Sequence, residues 1–405
     1  MVIQTPIRAD GASARHDLPA GGLEVTITAE TKTLGPLFKI AARQNPKRGF
    51  LFVSTVLGRH IPVDPRLHRQ ALAELAGKLS PLMGHGPALV MGYAETAVGL
   101  GAGVADELRK ALPSQDILYL PTTRHPVGGR QWFGFSEGHS HATEHEVMRP
   151  DAHPVLIPGE GKTLVLVDDE ATTGATLGGL SSQIFEQMPG HFSRILLATL
   201  TDWSDGKNVK TVKAMTGCDD VQAVSLMSGT WTWAPKDGVP AAKLPDGIPP
   251  VAPAWEPVYG RHRAFNTPRC GLDGDPGLDC EKLITQLLPE FAPEDRVLVI
   301  GSGEHVWSPF LFSEAVQPHV AETGFIATTR SPIVMSDVIR KKMIFPDHFG
   351  LGIEMYLHNV DPADWDRIVL FTETDAAGVT PELRHALGKG HIIDGRGIVT
   401  EMKEA

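Results

Sequence analysis

The segment Leu164-Val165-Leu166-Val167-Asp168-Asp169-Glu170-Ala171-Thr172-Thr173-Gly174-Ala175-Thr176 decides the fold that we expect for this chain. Its four apolar residues predict a strand that is buried on both faces, as in a parallel sheet. Two acids end the strand, and a loop of Thr, Gly and Ala opens a helix, whose backbone N–H groups offer positive partial charge to a phosphate. Asp168 and Asp169 can accept hydrogen bonds from the two hydroxyls of a ribose. The alternative is an ordinary turn between a strand and a helix.

Further strand and helix patterns lie on both sides of this segment. Strands are predicted at Ala88–Gly92, Ile117–Thr122 and Ile195–Thr201, and helices at Thr96–Leu112 and Ala175–Met188. Strands that alternate with helices predict an α/β domain. In such a sheet ligands bind at the carboxyl ends of the strands, where the acids and the loop fall.

Composition limits the classes of function. The chain has 405 residues, a net charge of −11 and no cluster of Lys or Arg, which argues against a nucleic-acid surface. No run of 18 apolar residues is present, so we expect no membrane span. Three widely spaced cysteines favour a reducing compartment, and we expect a cytoplasmic protein. The polar start of the chain, residues 1–21, is expected to be a flexible tail.

A proline-rich segment divides the chain. Seven prolines fall between residues 234 and 258, which predicts a linker. We therefore expect one domain over residues 22–233 and a second over residues 259–405.

The first motif resembles the phosphoribosyl pyrophosphate (PRPP) motif of type I phosphoribosyltransferases, in which four apolar residues precede two acids and a Thr-Gly-x-Thr loop. The resemblance implies a parallel sheet flanked by helices, with a hood, and a homodimer. It also implies Mg²⁺ as cofactor, held at Asp168 and Asp169, directly or through water. PRPP contacts are implied for Asp168, Asp169, Glu170, Ala171, Thr172, Thr173, Gly174, Ala175 and Thr176.

Two other loops are similar to functional loops of that family. Tyr93, Ala94, Glu95 and Thr96 follow a strand and begin a glycine-rich helix, like the loop whose backbone amides contact pyrophosphate.

The segment Pro121-Thr122-Thr123-Arg124 opens a long polar loop, like the family's mobile catalytic loop. Its Arg124 and Arg130 can neutralise the departing pyrophosphate. Orotate-type relatives often carry a lysine there, whereas this loop has arginine and histidine. His139, implied here as catalytic, forms a cluster with His141 and His145. Anion contact, proton transfer, a structural metal site and a solvated loop are all open for these histidines.

The acceptor of the phosphoribosyl group is less clearly marked. Thr172 stands where family members that use 6-oxopurines often have a carboxylate, so a pyrimidine-like or other heterocyclic base is favoured. Candidate base contacts are Arg59 and His60 after a predicted hood strand, and Trp231 and Trp233, which can stack on a flat ring.

The C-terminal half repeats three segments of the N-terminal half in the same order. Val297–Glu304 echoes Ala88–Glu95, Ala327–Pro332 echoes Pro121–Pro126, and Ile368–Thr380 aligns without gaps with Leu164–Thr176. We predict a second, degenerate phosphoribosyltransferase-like α/β unit over residues 290–400. Thr372 replaces the first acid, so we expect this second unit to bind ribose weakly. The second unit can serve as a partner for the first half, as a pseudo-active site or as a site for another phosphate.

Thr328-Thr329-Arg330-Ser331-Pro332 resembles the Thr-Arg-Ser-Pro (TRSP) domain that follows orotate phosphoribosyltransferase-like domains in tellurium-resistance-associated gene clusters. The resemblance implies a biosynthetic enzyme that transfers phosphoribose from PRPP to a base and releases pyrophosphate. The alternatives are a PRPP-sensing regulator with the same fold, and related chemistry that releases the base from a nucleotide.

Overall fold

The computed structural model describes residues 13–43, 48–124, 130–136, 144–236, 268–274, 279–331, 333–349 and 351–402. No described helix is long and apolar enough to cross a membrane.

The first domain contains twelve strands and four helices in its described part. The strands are β1 (Ser13–Leu18), β2 (Gly21–Glu30), β3 (Phe38–Ala42), β4 (Phe50–Ser54), β5 (Ala88–Gly92), β6 (Ile117–Tyr119), β7 (Thr122–Thr123), β8 (Gln131–Ser136), β9 (Glu144–Met148), β10 (Lys162–Ala171), β11 (Phe192–Asp202) and β12 (Val221–Pro235). The helices are α1 (Pro65–Leu79), α2 (Ala97–Ala111), α3 (Ala175–Gln187) and α4 (Lys207–Thr216).

The main sheet of this domain has the order β1-β2-β12-β11-β10-β5-β6. The pairs from β12 to β6 are parallel, which confirms the predicted sheet. The strand β10 lies in the middle, and Leu164 to Val167 are fully buried, as their continuous apolar run predicts. The carboxyl end of β10 therefore carries the two acids to the edge where β5 and β6 also end.

The expected N-terminal tail is shorter than predicted. Residues 13–21 include β1 and the start of β2, which pair with each other, and β2 pairs with β12. Buried Leu23, Val25 and Ile27 alternate with less buried neighbours, so β2 turns one face toward the core. The expected linker begins later than residue 234, because β12 continues to Pro235. Its remaining residues from 237 to 258 lie outside the described part of the chain.

The second domain contains seven strands and three helices in its described part. They are α5 (Cys280–Leu287), β13 (Arg296–Gly301), α6 (Trp307–Val316), β14 (Glu322–Ala327), β15 (Lys342–Pro346), β16 (Glu354–His358), β17 (Arg367–Phe371), α7 (Pro381–Leu387), β18 (Gly390–Ile393) and β19 (Val399–Met402). The sheet order β14-β13-β17-β18-β19 repeats the order β6-β5-β10-β11 of the first domain and adds one antiparallel strand.

The register repeats as well. Val165 pairs with Val90 in the first sheet, and Val369 pairs with Val299 in the second, as the gapless alignment requires. Gly92 and Gly301 occupy equivalent positions, and neither has room for a side chain. A Cβ added to Gly92 would lie 2.3 Å from the Ala97 carbonyl oxygen, and a Cβ added to Gly301 would lie 2.5 Å from the His305 carbonyl oxygen. The predicted second α/β unit is therefore confirmed.

The two domains share an apolar interface. Val306, Trp307, Phe310 and Phe325 of the second domain belong to the hydrophobic core of the first. Backbone hydrogen bonds cross the interface in both directions. Val63, just before α1, pairs with Phe325 in β14, and Leu272 pairs with the equivalent Tyr119 in β6.

Candidate active site

A cavity of about 330 Å³ lies at the carboxyl ends of β5 and β10. Many of the residues that the sequence singled out line it together: His60, Tyr93, Ala94, Glu95, Thr96, Arg124, Asp168, Asp169, Glu170, Thr172 and Thr176. The cavity is thus built from the two acids, the following loop and the loop after β5.

The acids at the end of β10 occupy three different environments. The Thr96 hydroxyl donates to the Asp169 carboxylate at 2.9 Å, and the backbone N–H of Asp169 donates to Asp168 at the same distance. Glu170 forms a two-point ion pair with Arg48 at 2.7 and 3.1 Å. Burial and the neighbouring charge of Glu170 raise the pKa of Asp169. Asp168 and Asp169 both line the cavity, and carboxylate oxygens can accept several hydrogen bonds or bind a cation.

The loop after the acids bends sharply at Gly174 before α3 begins. Gly174 has φ of +78°, and an added Cβ would lie 2.4 Å from the Cα of Asn208. Only glycine fits both conditions. The first backbone N–H groups of α3 have no partners within the helix, so its N-terminus offers the positive end of the helix dipole at the cavity. Ala171, Thr173, Gly174 and Ala175 shape this loop, but they do not line the cavity.

The loop from Tyr93 to Thr96 is held by hydrogen bonds on both sides. The Ala94 N–H donates to the Thr122 hydroxyl at 2.8 Å, and the Tyr93 hydroxyl donates to the Thr176 carbonyl at 3.1 Å. The Ala94–Glu95 peptide bond is cis. These contacts fix the loop between the phosphate loop and the start of the polar loop at Thr122.

Arg124 lines the cavity, whereas Arg130 does not. The Nε of Arg124 is buried without a hydrogen bond to a described residue, and its terminal nitrogen lies 3.4 Å from His145 Nε2. The side chain of Arg130 is engaged by Asp151 at 2.5 Å outside the cavity. His139 and His141 lie outside the described residues, so their predicted roles stay predictions.

Three of the four candidate base contacts are not at the cavity. Arg59 is buried and donates to the carbonyls of Glu95, Gly303 and Thr328, so it fastens the two domains together. Trp231 and Trp233 pack on Phe50, with ring centroids 4.9 and 5.3 Å apart. Of the four candidates only His60 reaches the cavity wall.

Six lining residues were not identified as site residues from the sequence: Arg43, Leu51, Phe52, Thr329, Arg330 and Ser331. Leu51 and Phe52 lie on β4 and make one wall apolar. Thr329, Arg330 and Ser331 come from the second domain. The repeat of the Thr-Thr-Arg segment was the one sequence signal that could have drawn attention to Arg330.

The two domains exchange equivalent contacts across their interface. Glu95 accepts from the Thr329 hydroxyl at 3.4 Å and from the Arg330 N–H at 3.2 Å. Its counterpart Glu304 accepts from the Thr123 hydroxyl at 2.5 Å and from the Arg124 N–H at 2.8 Å. Glu95, predicted to contact pyrophosphate, therefore directs its carboxylate at the second domain.

The equivalent site of the second domain is filled by its own side chains. Arg269, on the short turn Pro268–Cys270, is buried and forms ion pairs with Glu304 and Glu373, the counterparts of Glu95 and Asp169. Arg269 also donates to the Thr123 hydroxyl at 3.0 Å. This guanidinium occupies the position at which the first domain has its cavity.

The donor set at the cavity fits Mg²⁺. Asp168 and Asp169 supply hard carboxylate oxygens, and Mg²⁺ is commonly held by one or two carboxylates together with phosphate oxygens and water. In the described part of the chain, no group of three or more His, Cys, Asp or Glu residues is arranged to hold a metal by itself. The ligand would therefore have to supply part of the coordination.

Comparison with known families identifies this arrangement. Residues 37–230 match a family model described as "Phosphoribosyl transferase". Residues 267–386 match one described as "TRSP domain C terminus to PRTase_2". Residues 37–230 therefore form a phosphoribosyltransferase domain, and residues 267–386 form a TRSP domain. No curated protein matches the chain at the level of sequence.

Solved structures of phosphoribosyltransferases are also similar to about half of the chain. The adenine phosphoribosyltransferase of Trypanosoma brucei, solved with AMP, pyrophosphate and ribose-5-phosphate, is 13% identical, with 48% of this chain and 78% of that chain covered and a TM-score of 0.34. The enzyme from Giardia lamblia, solved with 9-deazaadenine, is 16% identical, with 49% and 98% covered and a TM-score of 0.33. The enzyme from Thermoanaerobacter pseudethanolicus is 19% identical, with 47% and 95% covered and a TM-score of 0.31. The family assignment depends on the family models and not on these similarities.

Proposed function

We propose that the phosphoribosyltransferase domain transfers the phosphoribosyl group of PRPP to a nitrogen of a heterocyclic base, with Mg²⁺ as cofactor. The bond between C1 of the ribose and the pyrophosphate oxygen breaks, and a bond from C1 to the base nitrogen forms. The proton of that nitrogen leaves to solvent. The observation that carries the proposal is the single cavity that brings the two acids and the phosphate loop together with Arg43 and Arg124.

Each part of PRPP has a matching group at this cavity. Asp168 and Asp169 accept hydrogen bonds from the ribose hydroxyls and would hold Mg²⁺, which would neutralise charge on the pyrophosphate. The 5-phosphate binds at the loop Thr172–Thr176 and the N-terminus of α3. The backbone of Tyr93–Thr96 and the guanidinium of Arg124 hold the pyrophosphate as negative charge develops on it.

The base is expected against the apolar wall formed by Leu51, Phe52 and His60. Phe52 is stacked on Trp203 with centroids 4.2 Å apart, which fixes its ring. Burial and the charges of His358, Arg59 and Arg43 hold the pKa of His60 well below its usual value, so the imidazole is neutral. Its Nε2 is buried without a hydrogen bond to a described residue and can pair with a polar edge of the base. Thr172, which has no carboxylate, favours a pyrimidine-like base.

Release of pyrophosphate from PRPP and Mg²⁺ with a panel of purine, pyrimidine and other heterocyclic bases tests this function. We expect release that depends on one base or a small group of bases. Tight PRPP binding without release for any base would instead indicate a PRPP sensor. A homodimer and a role in a tellurium-resistance-associated pathway stay predictions from the resemblance.

A further inference from the structure

Arg330 of the TRSP domain reaches into the cavity of the phosphoribosyltransferase domain. Its backbone N–H is fixed by Glu95. Thr329 exchanges backbone hydrogen bonds with Tyr356, and the Ser331 carbonyl oxygen lies 3.0 Å from His358 Nε2, so the segment is held on both sides of Arg330. The side chain lines the cavity and forms no ion pair with a described residue. A fixed backbone with an uncommitted guanidinium is the arrangement expected of a ligand-binding arginine.

The three arginines that line the cavity favour the binding of an anion. They are Arg43, Arg124 and Arg330, and none of them forms an ion pair with a described residue. Burial lowers the pKa of Arg330, and the charge of Arg124 lowers it further, whereas the carboxylates of Glu95, Glu304 and Asp347 act in the opposite direction. Two partly desolvated guanidiniums that repel each other are stabilised when a multivalent anion binds between them.

The position of Arg330 indicates which part of the substrate it meets. It is tied to Glu95, at the loop Tyr93–Thr96, and not to the loop Thr172–Thr176 at the start of α3. The first of these loops is where the proposed function places the diphosphate, and the second is where it places the 5-phosphate. Arg330 is thus on the diphosphate side of the cavity, beside its own counterpart Arg124.

We propose that the TRSP domain completes the active site, and that Arg330 binds the diphosphate of PRPP, and the pyrophosphate released from it, together with Arg124. This inference rests on the proposed function of the first domain. It gives the second domain a direct role, because its own equivalent site is closed by Arg269. Glu95 is then a positioning residue that holds Arg330, and not a direct contact of the substrate.

Calorimetric titration of the full chain with three ligands in the presence of Mg²⁺ tests the proposal. The ligands are PRPP, inorganic pyrophosphate and ribose 5-phosphate, which lacks the diphosphate. The variants are Arg330→Gln and Arg330→Lys, and the control is Arg340→Gln, an exposed arginine of the same domain. We expect Arg330→Gln to weaken PRPP and pyrophosphate about 10- to 100-fold and to leave ribose 5-phosphate within about twofold. Arg330→Lys should keep part of the affinity, and the control should match the wild type.

The three ligands separate the ways in which the proposal can fail. Equal weakening of all three ligands by Arg330→Gln would mean that the residue supports the fold, and unchanged affinity for PRPP and pyrophosphate would mean that it does not meet the diphosphate. Either result overturns the inference and leaves the proposed function intact. A wild-type chain that binds neither PRPP nor ribose 5-phosphate would instead overturn the proposed function itself.

Discussion

The carboxylate of Glu304, in the TRSP domain, accepts a hydrogen bond of 2.8 Å from the backbone N–H of Arg124, in the phosphoribosyltransferase domain. The equivalent bond runs the other way, from the Arg330 N–H to Glu95 at 3.2 Å. Each domain therefore fixes the backbone that carries an arginine of the other. Because both arginines line one cavity, the interface is part of the candidate active site.

Removing the charge of Glu304 should destabilise the interface. In Glu304→Gln the side chain keeps its size, but it can no longer accept all of the hydrogen bonds from Thr123, Arg124 and Arg269. We expect a loss of about 1–3 kcal/mol in the free energy of unfolding, measured by chemical denaturation. Glu322→Gln, in an exposed ion pair with Arg296, is the matched control and should cost about 1 kcal/mol or less. Equal effects of the two variants would contradict the importance of the buried carboxylate.

Arg269 holds the second site closed, and its loss should be costly. Arg269→Met would leave Glu304 and Glu373, both buried, without their counter-charge. We expect unfolding to become easier by roughly 3–5 kcal/mol. The double variant Arg269→Met with Glu373→Gln should recover part of this loss, because one uncompensated charge is removed. A loss below about 1 kcal/mol in the single variant would show that these charges are compensated in another way.

Gly174 is required for the bend of the phosphate loop. Gly174→Ala forces an alanine into positive φ and brings its Cβ against Asn208, so we expect the stability to fall by at least ~1–2 kcal/mol. PRPP affinity should fall too. Gly190→Ala separates the cost of the positive φ from the cost of the contact with Asn208, because Gly190 has φ of +73° and nothing lies within 4 Å of an added Cβ. It should show the smaller, conformational cost alone. A Gly174→Ala variant with unchanged PRPP affinity would argue against this loop as the phosphate site.

The raised pKa of Asp169 should be visible in the pH dependence of binding. As the pH falls from neutral, Asp169 is protonated earlier than an ordinary aspartate, so affinity for PRPP with Mg²⁺ should fall. PRPP with Mg²⁺ binds the ionised form of Asp169, so binding should release protons from Asp169 in acidic buffer. Stability should change in the opposite direction, because the native state binds more protons than the unfolded chain and gains stability as the pH falls.

Calorimetric titrations in two buffers of different ionisation enthalpy measure the released protons. Asp169→Asn should abolish this contribution and weaken binding. Proton release that is the same in the wild type and in Asp169→Asn would assign the titration to another group.

Local patterns in the sequence predicted the fold and pointed to the segment that lines the cavity at the end of β10. The run of Leu164 to Val167 and its echo at Ile368 to Phe371 predicted two buried parallel strands, and both are present with matching register. A continuous apolar strand followed by acids and a glycine depends only on neighbouring residues. This explains why the sequence drew attention to Asp168, Asp169 and Thr176, which line the cavity.

Contacts between distant segments could not be predicted in the same way. Arg330 reaches the cavity because the two domains pack face to face, and nothing in the sequence near Arg330 specifies that packing. Arg59 was predicted to contact the base, but it lies away from the cavity because its partners Gly303 and Thr328 belong to the other domain. Trp231 has the chemistry to stack on a base, but Phe50 already packs against its ring.

The proposed function depends most on Asp168 and Asp169, which we expect to hold the ribose of PRPP. Calorimetric titration of the full chain with PRPP and Mg²⁺ tests it most directly, with Asp168→Asn/Asp169→Asn as the variant and the exposed Asp219→Asn as the control. We expect the double variant to bind PRPP about 100-fold more weakly or not measurably, whereas the control should bind like the wild type. Equal PRPP affinity in the double variant and the wild type would show that these acids do not hold the ribose.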